Sequence, residues 1–264
     1  MNLAKKVHWL YQEYIFPRFY HLRGVTRLSK VLRSLAVHDF DPEEDGLYRA
    51  TIGEIDIVWP RPETLLGMQR GRPCEINILA RTAPDALVAD VGAYNGLYAI
   101  VAAKHGARRV DAFDINQDVL DRIPEHAQWN DAGDIIEPHR LAIGDQDGEV
   151  TVDINAATPI SSIDQAGDVT VPATTLDRFY QSREYPDIIK IDVEGAEYDV
   201  LQGATGIIEA QHPTLLIEIH VEKLHRFDAT ADDVLQFLRA HGYTYVETDR
   251  KHGGAIYNIA AWQK

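Results

Sequence analysis

Cysteine, long apolar runs and basic charge are all scarce in this sequence, and each scarcity excludes a class of protein. Cys74 is the single cysteine among 264 residues, so the chain cannot form an internal disulfide. No apolar stretch approaches the roughly 18 residues of a membrane-spanning helix, and the N-terminus lacks the pattern of a secretory signal. We therefore expect a protein of the reducing cytoplasm, in which Cys74 is a small buried residue.

The overall charge is strongly acidic. Lys and Arg number 26 against 41 Asp and Glu, a formal net charge of −15, which disfavours nucleic acid as a partner. Asp outnumbers Glu by 25 to 16, and Arg outnumbers Lys by 18 to 8. This bias indicates adaptation to high internal salt, where repulsion between carboxylates is screened, and hence a halophilic archaeal source.

Raising the salt concentration from about 0.1 M to about 1 M is expected to raise the midpoint of thermal unfolding. Over that interval the Debye length shrinks from about 10 Å to about 3 Å, which weakens repulsion between the acidic side chains. Differential scanning calorimetry at several salt concentrations measures the midpoint. A midpoint that stays constant or falls would contradict the halophilic interpretation.

The first 83 residues differ in character from the rest. Residues 1–37 hold seven basic side chains and one acid, Glu13, interleaved with aromatic residues, and residues 2–36 show the apolar spacing of two helices. This segment is either a solvated basic face on the acidic body or a peripheral contact with an anionic membrane. A hairpin over residues 47–51 and 55–59 and short helical pieces follow. We predict an N-terminal extension, 1–83, and a second domain, 84–264.

From residue 86 onward, strand and helix patterns alternate, as in an α/β fold with a mostly parallel sheet. Only residues 249–254 separate the last two predicted strands, so these should form a C-terminal antiparallel hairpin. The predicted strands cover residues 87–91, 109–114, 135–143, 149–154, 187–192, 214–220, 243–248 and 255–262. The predicted helices cover residues 96–104, 117–130 with an interruption at Pro124, 197–209 and 231–241.

A turn of small residues follows the first of these strands at residues 90–96, Asp-Val-Gly-Ala-Tyr-Asn-Gly. Gly92 can take a positive φ and let the backbone approach a ligand at the start of the next helix. Asp114 ends the following strand about 20 residues later, where a carboxylate can accept both hydroxyls of an adenosine ribose. A nicotinamide dinucleotide would need a glycine-rich phosphate turn, whereas Tyr94 and Asn95 crowd that path. S-adenosylmethionine carries no phosphate, and Asp90 can accept from its ammonium group, so the spacing favours this cofactor.

Four more polar residues lie at the carboxyl ends of two predicted strands. Asp192 and Glu194 follow one strand, and Glu218 and His220 end another, so all four should face the crevice where open α/β sheets bind ligands. His220 is the best general base, because imidazole titrates near neutrality. Glu218 or Glu194 would orient it, and Asp192 would hold the cofactor ammonium or the acceptor.

Residues 86–263 resemble the FkbM-type S-adenosylmethionine-dependent methyltransferases. The most specific segment is residues 189–197, Ile-Lys-Ile-Asp-Val-Glu-Gly-Ala-Glu, followed by Val-Leu-Gln-Gly-Ala at 200–204. The turn at 90–96 and the segments 112–116, 141–145 and 175–177 support it. This family usually has Asn in place of Tyr94, and Glu-Pro-Asn in place of residues 114–116, Asp-Ile-Asn.

The resemblance implies a class I methyltransferase, a Rossmann-like fold with a seven-stranded sheet, that binds S-adenosylmethionine. It also implies O-methylation of a hydroxyl on a glycan, a lipid-linked sugar or a small metabolite. Ala142 and Ile143 would line the adenine pocket, and Asp90, Gly92 and Ala93 the methionine end. The complete set of expected cofactor-binding residues is Asp90, Gly92, Ala93, Tyr94, Asn95, Gly96, Asp114, Ile115, Ala142 and Ile143.

Other interpretations of the same residues stay open. The chain could be an NAD(P)-dependent oxidoreductase, or a non-catalytic S-adenosylmethionine-binding interaction protein whose polar cluster pairs only with itself. His220 could be a structural residue. A divalent metal could bind some of the four residues at the strand ends, although no compact ligand spacing requires one. Glu197 could simply favour the start of its helix through the helix dipole.

Overall fold

A computed structural model of the chain describes residues 43, 45–52, 54–62, 64–65, 73–153, 162–163, 169–251 and 254–263. The chain divides into two compact units, residues 1–70 and 71–264. The two helices predicted over residues 2–36 lie outside the described residues, and the domain division at residue 84 stays a prediction. Among the described residues, no helix is long and apolar enough to cross a membrane.

The first unit contains the predicted hairpin. Strand β1 (Tyr48–Ile52) pairs antiparallel with β2 (Ile55–Trp59), so the hairpin is confirmed. Side chains alternate along each strand, as the twofold period of a β-strand requires, and Ile52, Ile57 and Trp59 are buried.

The second unit is an α/β fold, as predicted. Its helices are α1 (Pro73–Thr82), α2 (Leu97–Lys104), α3 (Gln117–Leu120), α4 (Ile123–Trp129), α5 (Leu176–Phe179), α6 (Glu197–Gln202), α7 (Thr205–Gln211), α8 (Val221–Leu224) and α9 (Ala231–Ala240). Its strands are β3 (Leu87–Val91), β4 (Arg109–Asp114), β5 (Ile136–Arg140), β6 (Ala142–Ile143), β7 (Gly148–Asp153), β8 (Ser162–Ile163), β9 (Val169–Thr174), β10 (Ile188–Ile191), β11 (Thr214–His220), β12 (Thr244–Lys251) and β13 (Ile256–Trp262).

A seven-stranded sheet with the order β12-β13-β11-β10-β3-β4-β5 forms the centre of this unit. The five strands from β11 to β5 run parallel, and β13 pairs antiparallel with both β11 and β12. The mostly parallel sheet and the C-terminal hairpin are therefore confirmed. All residues of β3 and β10 are buried, which explains their apolar runs. The carboxyl ends of β3, β4, β10 and β11 meet at one edge, where the candidate site residues lie.

A second sheet, β6-β9-β7-β8, was only partly predicted. The predicted strand 135–143 is two strands in different sheets, since the chain leaves β5 at Leu141 and Ala142 then pairs with β9. Pro138 is tolerated in β5 because β5 is the edge strand of the large sheet. Strand β9 was not predicted, because its Pro172 is typical of a loop.

Two predicted helices are also divided. The one over 117–130 is α3 and α4, so its predicted interruption is present, although it lies just before Pro124. The one over 197–209 is α6 and α7. The second break lies at Gly203, where a Cβ atom would sit well under 3.0 Å from the carbonyl oxygen of Gly144. Only glycine allows this close approach between the two backbones.

Cys74 corrects another expectation. It is exposed on α1, whose buried face carries Glu75, Ile76 and Leu79 instead. The prediction of a buried cysteine is therefore wrong, because the amphipathic pattern of α1 directs that position to solvent.

Candidate active site

The turn after β3 is built on glycine. Gly92 has a φ of +81°, and its N–H and that of Ala93 both donate to the Phe113 carbonyl at 2.9 Å. A Cβ atom on Gly92 would lie well under 3.0 Å from the carbonyl oxygen of Asp192. The turn therefore lies directly against the chain leaving β10, where the predicted reacting residues begin. Gly96, also with a φ of +81°, precedes α2.

Asp114, the last residue of β4, is hydrogen-bonded to the same turn. Its Oδ2 accepts from the Tyr94 N–H at 2.8 Å, and its Oδ1 accepts from the Asn116 N–H at 2.9 Å. Burial raises the pKa of Asp114, although these backbone hydrogen bonds act in the opposite direction. Each carboxylate oxygen has a second lone pair, so the group can still accept from ribose hydroxyls. Tyr94 has a φ of +50°, a conformation that Asn adopts more readily.

Replacing Asp114 with alanine is expected to weaken binding of S-adenosylmethionine by about 1.5 to 3 kcal/mol, roughly 10- to 150-fold in Kd. The change removes a carboxylate placed to accept the ribose hydroxyls, and such charged hydrogen bonds have energies in this range. Isothermal titration calorimetry measures the Kd. Asp134→Ala, at an exposed acid, is the matched control and should bind as the unaltered chain does. Equal Kd values for both variants would remove Asp114 from the cofactor site.

Asp90 lies on β3, just before the turn. It is 1% exposed, and neither carboxylate oxygen has a hydrogen-bond partner among the described residues. The Lys190 Nζ lies 3.7 Å from its Oδ1, 3.4 Å from the Asp192 Oδ2 and 4.7 Å from the centre of the Tyr98 ring. Burial raises the pKa of Asp90, and the charge of Lys190 partly opposes this.

Sequence reasoning missed Lys190. Its signal was a single basic residue in the otherwise apolar strand β10, Ile-Ile-Lys-Ile. A buried ammonium group between two carboxylates reduces the repulsion between them, so Lys190 helps to keep Asp90 and Asp192 together.

The remaining predicted cofactor residues lie along the turn and at the ends of β4 and β6. Ala93, Ala142 and Ile143 are buried, and Ile115 is half-buried directly after β4. Asn95 is half-buried in the turn, and its carbonyl oxygen lies 2.9 Å from the His126 Nδ1. The predicted cofactor residues thus occupy adjoining strand ends, as binding of one adenosine group would require. Their role stays a prediction.

The four predicted reacting residues lie close together. The His220 Nε2 lies 3.2 Å from the Glu194 Oε2, 3.9 Å from the Asp192 Oδ1 and 4.0 Å from the Glu218 Oε1. Glu194 is held in turn by an ion pair with Lys223. The structure therefore brings the other three residues around the Nε2 atom of His220, an arrangement that suits proton transfer.

Glu197 is a further member of this cluster. Its Oε1 lies 2.8 Å from the His220 Nδ1, on the opposite side of the ring from the other carboxylates. Burial lowers the pKa of His220, but the Glu197 hydrogen bond and the charges of Glu197, Glu194 and Asp192 outweigh this, and the pKa is raised. Burial raises the pKa of Glu197 despite its hydrogen bond with His220.

A polar network extends the site toward α1. The Asn258 amide donates to Glu75 and, at 3.2 Å, to the Glu218 Oε2. The Tyr98 hydroxyl donates to the other oxygen of Glu75. Sequence reasoning missed Glu75, Tyr98 and Asn258, which lie far apart in the chain. These contacts fix the orientation of Glu218.

Two groups of residues have the spacing of metal ligands. Asp192, Glu218 and His220 place ligand atoms within 4.8 Å of one another, and so do Asp111, Glu137 and His139. In the first group the Lys190 ammonium already lies beside Asp192. In the second, Asp111 is fully buried and is held by Arg109, His139 and Tyr180. We assign no metal to either group.

Comparison with known proteins identifies a family for this chain. The family model described as the methyltransferase FkbM domain matches residues 90–245. The chain is similar to the hexuronic acid methyltransferase AglP of Haloferax volcanii, with 28% identity over 177 residues, 65% of this chain and 70% of that protein.

The fold is similar to a crystal structure of a methyltransferase FkbM from Methylobacillus flagellatus. The identity is 14% and the TM-score 0.50, with 76% of this chain and 53% of that one covered. The chain thus spans about half the length of that structure. At this identity the likeness shows the fold alone, a class I methyltransferase fold.

Proposed function

The chain belongs to the FkbM methyltransferase family, and from this we propose that it transfers a methyl group from S-adenosylmethionine to an oxygen atom of a sugar acid. The main structural support for this proposal is the close approach of Gly92 to Asp192. It puts the turn that suits a cofactor beside the cluster that suits proton transfer. A methyl donor and its acceptor must meet in this way, because the displacement requires them in line and in contact.

The residues present fit S-adenosylmethionine. The Asp90 carboxylate is buried and has no hydrogen-bond partner among the described residues, so it offers acceptors to an ammonium group. Asp114 offers acceptors to ribose hydroxyls, and the small residues of the turn leave room for close approach. Bound S-adenosylmethionine supplies a methyl group on a cationic sulfur, which keeps the bonding electron pair when that group is transferred.

The residues around His220 would activate the acceptor. The Nε2 atom takes the proton of the acceptor hydroxyl as its oxygen bonds to the methyl carbon. Glu197 and Glu194, on the two sides of the ring, stabilise the imidazolium that forms. Glu218, held by Asn258, and Asp192 are placed to accept hydrogen bonds from other hydroxyls of the acceptor.

A hexuronic acid is the acceptor class that we propose, since AglP is named for that substrate. Such a sugar offers several hydroxyls to the carboxylates of the cluster. Its own carboxylate needs a cation, and the Lys223 ammonium beside Glu194 is partly exposed to solvent.

Cofactor binding is tested by calorimetric titration in high salt. We expect S-adenosylmethionine and S-adenosylhomocysteine to bind and the oxidised and reduced nicotinamide dinucleotides to give no heat. Dinucleotide binding alone would favour the oxidoreductase interpretation. Binding of the sulfonium pair without any methyl transfer would favour a non-catalytic interaction protein.

The acceptor is tested with S-adenosylmethionine carrying a labelled methyl group. Glucuronic and galacturonic acids, free and in glycosides, are compared with the corresponding neutral hexoses. We expect label in the uronic acids, in a form that resists mild alkali, because a methyl ether is stable there. A label released by mild alkali would be a methyl ester, and a hydroxyl would then not be the acceptor.

A further inference from the structure

Glu197 is fully buried, although its position at the start of a helix does not require burial. It is the first residue of α6, where acids are usually solvated and interact only with the helix dipole. Its side chain is 0% exposed. Burying a carboxylate is costly unless it is paired and hydrogen-bonded, so the contacts of this group are informative.

Those contacts all involve one oxygen. The Glu197 Oε1 accepts from the Gly195 N–H at 3.0 Å and lies 2.8 Å from the His220 Nδ1. Its Oε2 has no hydrogen-bond partner among the described residues. The carboxylate is therefore fixed by the turn at Gly195 and directed at the imidazole ring.

This contact determines which nitrogen faces the cleft. A carboxylate only accepts hydrogen bonds, so the Nδ1 atom carries the proton that joins it to Glu197. The Nε2 atom, on the other side of the ring, faces Glu194, Asp192 and Glu218. Neither Glu194 nor Glu218 can accept a hydrogen bond from the Nδ1 atom, because both lie on the Nε2 side of the ring. The predicted orienting role of Glu218 or Glu194 is therefore wrong for this contact.

We propose that Glu197 is the positioning residue of the transfer reaction, holding the His220 imidazole with its Nε2 toward the acceptor. The inference rests on the proposed function, in which His220 takes the proton. The Glu197 carboxylate is bonded to Gly195 and His220 rather than to the turn at residues 90–96, so we expect it to affect the rate without affecting cofactor binding.

Kinetics of Glu197→Ala and Glu197→Gln test this role, with the rate expressed per S-adenosylmethionine-binding site to correct for unfolded protein. For Glu197→Ala we expect kcat to fall about 10- to 100-fold, with the cofactor Kd and the acceptor KM unchanged. Glutamine keeps an oxygen for both donors, so Glu197→Gln should recover much of the loss. A kcat of Glu197→Ala within twofold of the unaltered chain would overturn the proposal.

Asp111→Asn is the matched control. Asp111 is also fully buried and bonded to a histidine, His139, but it lies within β4, outside the cluster around His220. We expect it to lower stability without changing kcat per binding site. An equal fall in kcat for both variants would mean that loss of any buried acid slows the enzyme, and would overturn the specific role of Glu197.

Nuclear magnetic resonance of the unaltered chain with 15N-labelled histidine tests the contact with Glu197 itself left unchanged. We expect the ring signal of His220, identified by its loss in His220→Gln, to show a hydrogen-bonded Nδ1–H and an unprotonated Nε2 at high pH. The opposite tautomer would overturn the proposal. If S-adenosylmethionine fails to bind or no methyl is transferred, the proposed function fails, whereas the tautomer still reports on the contact itself.

Discussion

Replacement of His220 by alanine is expected to slow methyl transfer by roughly 100-fold or more, while S-adenosylmethionine binds as before. The size follows from the loss of a general base, which typically contributes 100- to 10,000-fold. Binding should persist because the residues assigned to the cofactor, Asp90 and Asp114, lie on β3 and β4, whereas His220 ends β11. Single-turnover transfer of a labelled methyl group measures the rate, and calorimetry measures the binding.

His225→Ala is the control for this experiment, since that histidine is exposed five residues further along the chain. It should change neither quantity. If His220→Ala turns over as fast as the unaltered chain, His220 has no part in proton transfer, and the structural interpretation of this residue is the right one.

The same histidine links rate to pH. Its pKa is raised above the ordinary value of 6.5, and only the neutral ring can take a proton, so the rate should climb with pH through that raised pKa. Stability moves in the opposite direction. The group's contribution to stability is complete below its unfolded pKa and is lost as pH rises through the higher folded pKa.

Replacement of Gly92 by alanine is expected to destabilise the second unit by about 3 kcal/mol or more and to abolish measurable cofactor binding. The new Cβ would overlap the Asp192 carbonyl, and the φ of +81° is unfavourable for any residue with a side chain. Backbone would have to move at the turn and at the reacting cluster together. Urea denaturation measures the stability, and calorimetry measures the binding.

Gly133→Ala provides the comparison. A Cβ atom there meets nothing within 4 Å, and its φ lies outside the left-handed region, so the free energy of unfolding should change by less than about 1 kcal/mol. Similar stabilities for the Gly92 and Gly133 variants would show that the turn can move away from Asp192 at little cost.

The large sheet could be predicted because its strands are simple in sequence. β3, β10 and β11 are mostly apolar, and the short segment between β12 and β13 predicts an antiparallel pair. The second sheet could not be predicted, since its ladder depends on pairing between distant short segments. β9 illustrates this, because Pro172 gives it the local character of a loop.

The candidate site was predictable as far as residues at strand ends are concerned. The predicted strand ends contain or directly precede four residues of the site, Asp90, Asp114, Asp192 and His220. Glu197 and Glu75 were not recognised, because both lie on helices and reach the site only through packing across the sheet edge. Their burial depends on tertiary contacts that have no period in the sequence.

The charge of the cleft has a consequence for turnover. Its carboxylates outnumber its cationic groups, with Asp90, Asp192, Glu194 and Glu218 against Lys190, Lys223 and His220. An acidic cleft attracts a sulfonium ion more strongly than the uncharged sulfide that remains after transfer. We expect the spent cofactor to be the weaker ligand of the two, so that product inhibition is slight and each methylation promotes its own exchange for a fresh donor.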